Sequence, residues 1–299
     1  MTDTYRSDVT ATDLSEFHSP GRGRGILDVF EWRYLLRLLV RKGTQTRYRN
    51  SVLGWTWSYV KPAAQFAVFY LVMGVFLRLG ENIHNFAVYL FSGIIVINFF
   101  TEALNNATNS IIDNAPLVKK IYLPRELFPI AAVIVAFVHF LPQAAILLIV
   151  CLLLGWVPTL GAVVAFVLSL LITAALALGL GLFFGSVNVA FRDASNFVEL
   201  ILMFATWSAP VLYPWTLVRD AVPAWLFAVY QLNPLTVAVE LMHKATWFLT
   251  TSGDPRPDRL MPMPALWEHS AIAVAICAVI LVGGQFAFRR LERRFAQEL

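Results

Sequence analysis

Six long apolar stretches separated by short polar connections constrain this chain more than any other feature of its sequence. They run over 60–77, 86–104, 127–154, 159–187, 197–212 and 272–288. A helix needs roughly 20 apolar residues to cross a hydrocarbon core about 30 Å thick. Hydrophobic residues make up 58% of the chain and charged ones 14%, against about 25% charged in an ordinary soluble domain. So few charged side chains cannot cover a water-facing surface for 299 residues, so most of that surface must meet lipid. The expected fold class is an all-α membrane protein with six transmembrane helices. The third and fourth stretches are long enough to tilt. The fifth is short and ends at Pro210.

Two further apolar pieces, 222–230 and 235–241, lie before the last stretch and are too short to span. Pro214, Pro223 and Pro234 bound them, and proline stops a helix. Backbone that leaves a helix at membrane depth survives only inside protein or beside a water-filled cavity. The region 214–245 is therefore expected to form a re-entrant or interfacial helical hairpin. Ahead of the first span, Phe30, Tyr34, Leu35, Leu38 and Leu39 recur at helical spacing, while Arg33, Arg37 and Arg41 fall on another face. That pattern predicts an amphipathic helix over 28–45 lying in the membrane interface. Residues 1–25 are polar, with Pro20, Gly21, Gly23 and Gly25. They are expected to form a disordered cytoplasmic tail without the apolar core of a signal peptide. Residues 26–299 are expected to form one membrane domain.

The net charge of +4 could suggest nucleic acid, but the positions of the basic residues account for it. With both termini on one side, that side carries 18 of the Lys and Arg residues and the other carries Arg78, Arg219, Lys244, Arg256 and Arg259. The turn 155–158 has no charge at all. Cytoplasmic loops hold the basic excess, so both termini are expected in the cytoplasm of a multi-pass inner-membrane protein. Cys151 and Cys277 both lie in apolar runs and read as small buried hydrophobes.

No G-x-x-x-x-G-K-[ST] loop occurs, so nothing in the sequence would cradle nucleotide phosphates. Gly179, Gly181 and Gly185 look like a glycine-rich loop, yet they sit inside the fourth span, where close helix packing is the better reading. No H-E-x-x-H, serine-triad signature or zinc spacing appears. The chain is therefore expected to have no catalytic residues, no metal and no cofactor of its own. Glu102, with Asn105 and Asn106, and Glu199 are the acidic positions near membrane depth, and such positions are functional candidates by default. His139 reads as a packed neutral imidazole. Tyr59, Phe66 and Tyr70 fall on one face of the first span, and Phe69 widens the stripe. Such a face could stack on sugar rings or meet lipid. Trp55, Trp57, Trp156, Trp207, Trp215, Trp225, Trp247 and Trp267 lie mostly near span ends, as interfacial belts require.

Several strings then combine in order along the hydropathy map. Asn114-Ala115-Pro116-Leu117-Val118-Lys119-Lys120-Ile121-Tyr122-Leu123-Pro124 follows the second span and Arg192-Asp193 the fourth. Ser208-Ala209-Pro210-Val211-Leu212-Tyr213 ends the fifth, and Leu232-Asn233-Pro234-Leu235 with Glu240 precedes the sixth. Over about residues 28–295 the chain resembles the permease subunits of type-2 ABC exporters, specifically those for lipid-linked polysaccharides such as O-antigen and teichoic acid. The resemblance implies a homodimer docked on two copies of a cytoplasmic ATPase, which binds the ATP and Mg. Docking would use the interface helix (Arg33, Arg37, Arg41) and a coupling segment over 113–122, with Asp113, Asn114, Pro116, Leu117, Lys119 and Lys120. Extracytoplasmic gate helices would lie over 214–245, with Pro210, Tyr213, Pro214, Trp215, Asn233 and Pro234 forming the gate. A substrate pathway would pass between protomers, along Tyr59, Phe66, Phe69, Tyr70, Glu102 and Asn105. The Arg-over-Lys bias (18 to 5) suggests a GC-rich genome and, with it, a cell-wall galactan as a further substrate type. A permease of this type for a drug or small lipid shares the fold. A membrane glycosyltransferase would need an acidic group on an outer loop, where Asp254 and Asp258 stand in a proline-rich setting poor for a rigid site. The proline-rich loop 250–264 has no role in the resemblance.

Overall fold

The computed structural model describes residues 32–46, 56–81, 83–120, 123–251, 261–292 and 295–298, and among these every regular element is helical. The tail 1–25, Phe30, the 47–55 linker with Trp55, Ile121, Tyr122, Asp254, Asp258, Arg293 and Arg294 lie outside the described residues.

Five helices are long and apolar enough to cross a membrane. The first is α2 (Trp57–Phe69), which continues as a π-helical segment over Tyr70–Phe76. The others are α3 (Phe86–Asp113), α5 (Leu127–Leu153), α6 (Leu160–Ala190) and α11 (Leu266–Leu291). Shorter helices join them: α1 (Arg33–Thr46) leads in, and α4 (Ala115–Lys120) follows α3. The expected fifth span appears as α7 (Ala194–Ser208), only 15 residues long. At 1.5 Å per residue it measures about 22 Å, less than a hydrocarbon core. The count of six is therefore not reached by length, because Ala209 turns extended just before Pro210.

α3 is the central helix, with 72% of its apolar stretch buried against 22% for α11. It packs along α5 on one side and α6 on the other, and α6 in turn packs on α11. Small residues set these approaches. A Cβ on Gly181 would come within 2.5 Å of the Ala107 side chain, and one on Gly185 within 3.1 Å of the Ala107 carbonyl. A Cβ on Gly179 would lie 2.8 Å from the Leu281 amide of α11. The glycines of the fourth span thus bring backbones together on two sides. At the α5–α6 turn Gly155 takes φ +82°, open to glycine without strain.

After α7 come α8 (Trp215–Ala221), α9 (Ala224–Leu232) and α10 (Pro234–Ala245). α9 has no buried residue, whereas Leu235 through His243 of α10 are all buried against α6, α11 and α3. Only the first of the two short apolar pieces lies at the surface; the second is part of the bundle core. α1 rests on α5 through Leu35, Leu36, Leu39 and Val40, which join Ile111, Val118, Leu127 and Phe128 in a second apolar cluster. Gly43 permits the approach, since a Cβ there would sit 2.8 Å from a Val135 methyl. Tyr34 and Leu38, which share the apolar spacing with Leu35 and Leu39, are 73% and 43% exposed. The buried arc centres on Leu39 and Gly43, so both project outward beside Arg33, Arg37 and Arg41. A last short helix, α12 (Phe295–Glu298), sets Phe295 against Phe288.

Candidate functional site

Sequence-derived positions gather at three levels of the bundle. At the end that carries α1 and α4, Asn114 breaks α3 and starts α4. Its side-chain amide donates to the Ser110 carbonyl at 2.8 Å and its Oδ1 accepts from Lys42 Nζ at 2.8 Å. The Lys42–Asn114 bond ties α1 to the start of α4, a link between residues 72 apart that no local pattern announces. Val118 is buried and Leu117 packs beside it, so they anchor α4. Asp113, Pro116, Lys119 and Lys120 stay exposed, as do Arg33, Arg37 and Arg41. The expected docking residues therefore divide into an anchoring pair and a mixed-charge outer surface. At this end Arg125 donates to the Glu292 carbonyl and lies over the Phe295 ring, while Gln285 donates to the buried Glu126 carboxylate at 3.0 Å. These contacts fasten the end of α11 to the start of α5.

At mid-depth, Glu102 Oε1 lies 2.5 Å from His139 Nδ1 across the α3–α5 seam, with side chains 19% and 2% exposed. Sequence reading left His139 without an acidic partner because Glu102 is 37 residues away. About 16 Å of helix separates Glu102 from the end of α3. Asn105 accepts from Asn109 at 3.0 Å, and Asn109 Oδ1 accepts from Asn188 of α6 at 3.1 Å. Asn188 also donates to the Thr108 carbonyl. These amide contacts tie α3 to α6 and help fix their register, although the buried Asn188 Oδ1 itself accepts no hydrogen bond. Glu199 of α7 is exposed and joins neither group.

The aromatic stripe of α2 turns partly inward. Phe66 stacks on Tyr70 at 5.7 Å and meets Phe91 edge-on at 5.6 Å, and Tyr70 faces Phe86 at 6.1 Å. Phe69 packs against the main core, Tyr59 is half-buried and Tyr70 is 39% exposed. Most of the rest of α2 is exposed, including Val68, Leu71, Val75 and Phe76. Its π-helical segment follows Phe69 directly, and such segments concentrate at functional sites.

At the opposite end, the expected gate residues form a clasp that sequence reading only partly foresaw. Tyr89 of α3 donates from its hydroxyl toward the carbonyls of Pro210 and Tyr213, each at 2.9 Å. Its ring stacks on His243 at 4.0 Å, and His243 lies 3.5 Å from Glu240. Glu240 also accepts from the Met263 amide at 3.2 Å. Asn233 caps α10 by accepting from the Leu235 amide and donates to Ser208, the last residue of α7. Tyr213 donates to the Trp207 carbonyl, and Pro214 precedes α8 in extended conformation. Pro234 occupies the first turn of α10, where its missing N–H costs nothing. Trp215 and Trp247 are not belt residues: both are buried, and their indoles donate to Met261 and His84 carbonyls. Trp57, Trp207, Trp225 and Trp267 are exposed as a belt requires. On α8, the hydrogen bond from Arg219 holds the Asp220 carboxyl below the usual carboxylate range. Among the described residues, no three His, Cys, Asp or Glu side chains gather as a metal site would require.

Residues 34–247 match the family described as ABC-2 type transporter. The chain belongs to that family. The match begins inside α1 and ends just past α10, so it takes in α4, the polar mid-depth groups and the clasp together. Among curated relatives, the chain is similar to a protein of Klebsiella pneumoniae named O-antigen export system permease protein RfbA. They are 26% identical over 265 residues, covering 89% of this chain and 95% of the relative. A protein of the same name from Myxococcus xanthus is 28% identical over 254 residues, 83% of this chain and 95% of the relative. A second Klebsiella pneumoniae protein of that name is 24% identical over 265 residues. As an ABC-2 permease the chain is a multi-pass membrane transporter subunit and not a catalytic enzyme.

Proposed function

We propose that this chain is the membrane-spanning subunit of an ATP-driven exporter that moves a lipid-linked polysaccharide from the cytoplasm to the outer side of the inner membrane. The observation that carries this reading is near full-length similarity to permeases named for O-antigen export, on a membrane domain of the matching family. The cargo is of O-antigen, teichoic-acid or cell-wall galactan type. Two copies of the chain pair through the little-enclosed face of α2, with Phe66, Tyr70 and the π-helical segment beside the passage. α7 with residues 209–212 supplies a short sixth crossing, and α8 to α10 form a re-entrant gate hinged at the Tyr89–Asn233 clasp. Two copies of a separate ATPase dock on α4 and on the Arg33–Arg37–Arg41 face, and bind the ATP and Mg. Both termini lie in the cytoplasm.

Depletion of the chain in its host tests the proposal. Lipid-linked polysaccharide should build up inside while surface polysaccharide falls, and the ATPase should co-purify with the chain as two copies of each. Purified alone, the chain should hydrolyse no ATP. Depletion that leaves surface polysaccharide and its precursor unchanged, while sensitising cells to a drug or altering small lipids, would move the cargo to that other class.

A further inference from the structure

A cavity of about 510 Å³ opens where α1, the end of α3 and the start of α5 meet. Its size lies in the range of small-molecule sites. Its lining is divided between a polar and an apolar wall. Lys42, Asp113 and Asn114 stand at the helix ends, with Ser110 and Asn106 further in along α3. Asn106 lies about 10 Å deeper than Asp113. The opposite wall is apolar, made by Leu39 of α1 and by Phe128, Ala131 and Val135 of α5. A polar wall facing an apolar one suits an amphiphilic molecule such as a lipid.

We propose that this cavity binds one phospholipid with a primary-amine headgroup, of the phosphatidylethanolamine class. Lys42 takes the phosphate, Asp113 accepts from the ammonium, and the first part of an acyl chain lies along Val135 and Ala131. Three features select this headgroup. Among the described residues one cation and one carboxylate share the rim, a pair complementary to a zwitterion that places an unfavourable charge beside a purely anionic headgroup. A carboxylate and an amide oxygen accept hydrogen bonds, which a primary ammonium donates and a quaternary one cannot. Quaternary ammonium is instead recognised by aromatic cages, and among the described residues Phe128 is the one aromatic ring in the lining. The Lys42–Asn114 bond makes the site consequential, because it couples the bound headgroup to the junction of α3 and α4. The inference does not depend on the identity of the exported cargo.

The full-length protein reconstituted in bilayers of equal parts phosphatidylethanolamine, phosphatidylcholine and phosphatidylglycerol, then released into mild detergent, allows its retained lipids to be counted by native mass spectrometry. One phosphatidylethanolamine per chain should remain, enriched about tenfold over the other two, as a charge-assisted contact implies. Lys42→Ala should abolish the enrichment. Asp113→Asn should shift preference from ethanolamine to glycerol headgroups, because the phosphate contact remains while the carboxylate is gone. Ala132→Phe, which fills the cavity without altering either charge, should displace the lipid as well. Gln45→Ala, exposed on the outer side of α1, should retain it. Equal retention of all three lipids by the unaltered protein would overturn the proposal. So would phosphatidylethanolamine enrichment that survives both Lys42→Ala and Ala132→Phe.

Discussion

Gly283 and Gly284 are neighbours in α11, and their surroundings are opposite. A Cβ on Gly283 would meet nothing within 4 Å, whereas one on Gly284 would run into the Gly179 carbonyl and backbone of α6. Alanine is the better helix former by about 1 kcal/mol, so Gly283→Ala should leave stability unchanged or raise it slightly. Gly284→Ala must push α6 and α11 apart, at about 1–3 kcal/mol as in other overpacked interiors. The midpoint of thermal unfolding, followed by size-exclusion of fluorescent fusions, should fall for Gly284→Ala alone. Equal midpoints would mean that this seam is looser than its backbone contacts indicate. Local sequence could flag Gly181 and Gly185 through their G-x-x-x-G spacing, but it could not separate Gly283 from Gly284, since the distinction lies in a facing helix about 100 residues away. The same limit hid the Glu102–His139 pair and the hold of Tyr89 on Pro210 and Tyr213. The sequence singles out Glu102, Pro210 and Tyr213 but neither His139 as an acid's partner nor Tyr89, and only the packing of α3 against α5 and against the segment after α7 brings each pair together.

Elements were more legible than contacts, and their failures share a cause. The apolar runs located α2, α3, α5, α6 and α11 because each is long and apolar enough to span, whether little enclosed like α2 or 72% buried like α3. The 12-residue α10 is too short to stand out as a span, so its sequence predicts part of a re-entrant or interfacial hairpin without showing that Leu235 through His243 are all buried in the bundle. Its proline boundary was legible and its depth was not. Ser208, Asn233 and Thr236 make the junction that holds it: Asn233 donates to the Ser208 hydroxyl at 3.3 Å, and Thr236 donates to the Ser208 carbonyl at 3.2 Å. Asn233→Ala removes both the cap on α10 and the tie to α7, at about 0.5–2 kcal/mol for the cap. Asn233→Asp keeps the capping acceptor while losing the amide that reaches Ser208. The unfolding midpoint should therefore fall for alanine and largely recover for aspartate. A transport assay should separate the two functions, since aspartate restores the cap but not the link between α7 and α10. If alanine and aspartate transport equally well, that link has no part in the working cycle.

At the scale of the whole molecule the open quantity is orientation, and the fold makes it directly measurable. The helix ends bearing α1, α4, Arg125 and α12 lie together through the second apolar cluster, and they bear most of the described basic residues. The turn after α5 lies at the other end and is uncharged. The positive-inside rule then predicts that the α1–α4 end faces the cytoplasm. Cys151 and Cys277 are both buried and their thiols can be replaced to give a cysteine-free background. Val157 is 70% exposed in the α5–α6 turn, and Asp193 is exposed in the α6–α7 turn at the other end. An impermeant thiol reagent added to intact spheroplasts should label Val157→Cys and spare Asp193→Cys. Permeabilised cells should give labelling of both, which controls for reactivity. The α5–α6 turn follows an odd number of crossings and the α6–α7 turn an even number, so the two must report opposite sides whatever α7 does. A further cysteine at Leu217, 49% exposed on α8, tests α7 itself. If α7 crosses, Leu217→Cys labels from outside with Val157→Cys; if its 15 residues turn back, it is spared with Asp193→Cys. Labelling of Asp193→Cys in intact spheroplasts with Val157→Cys protected would invert the molecule and detach α1 and α4 from any cytoplasmic partner.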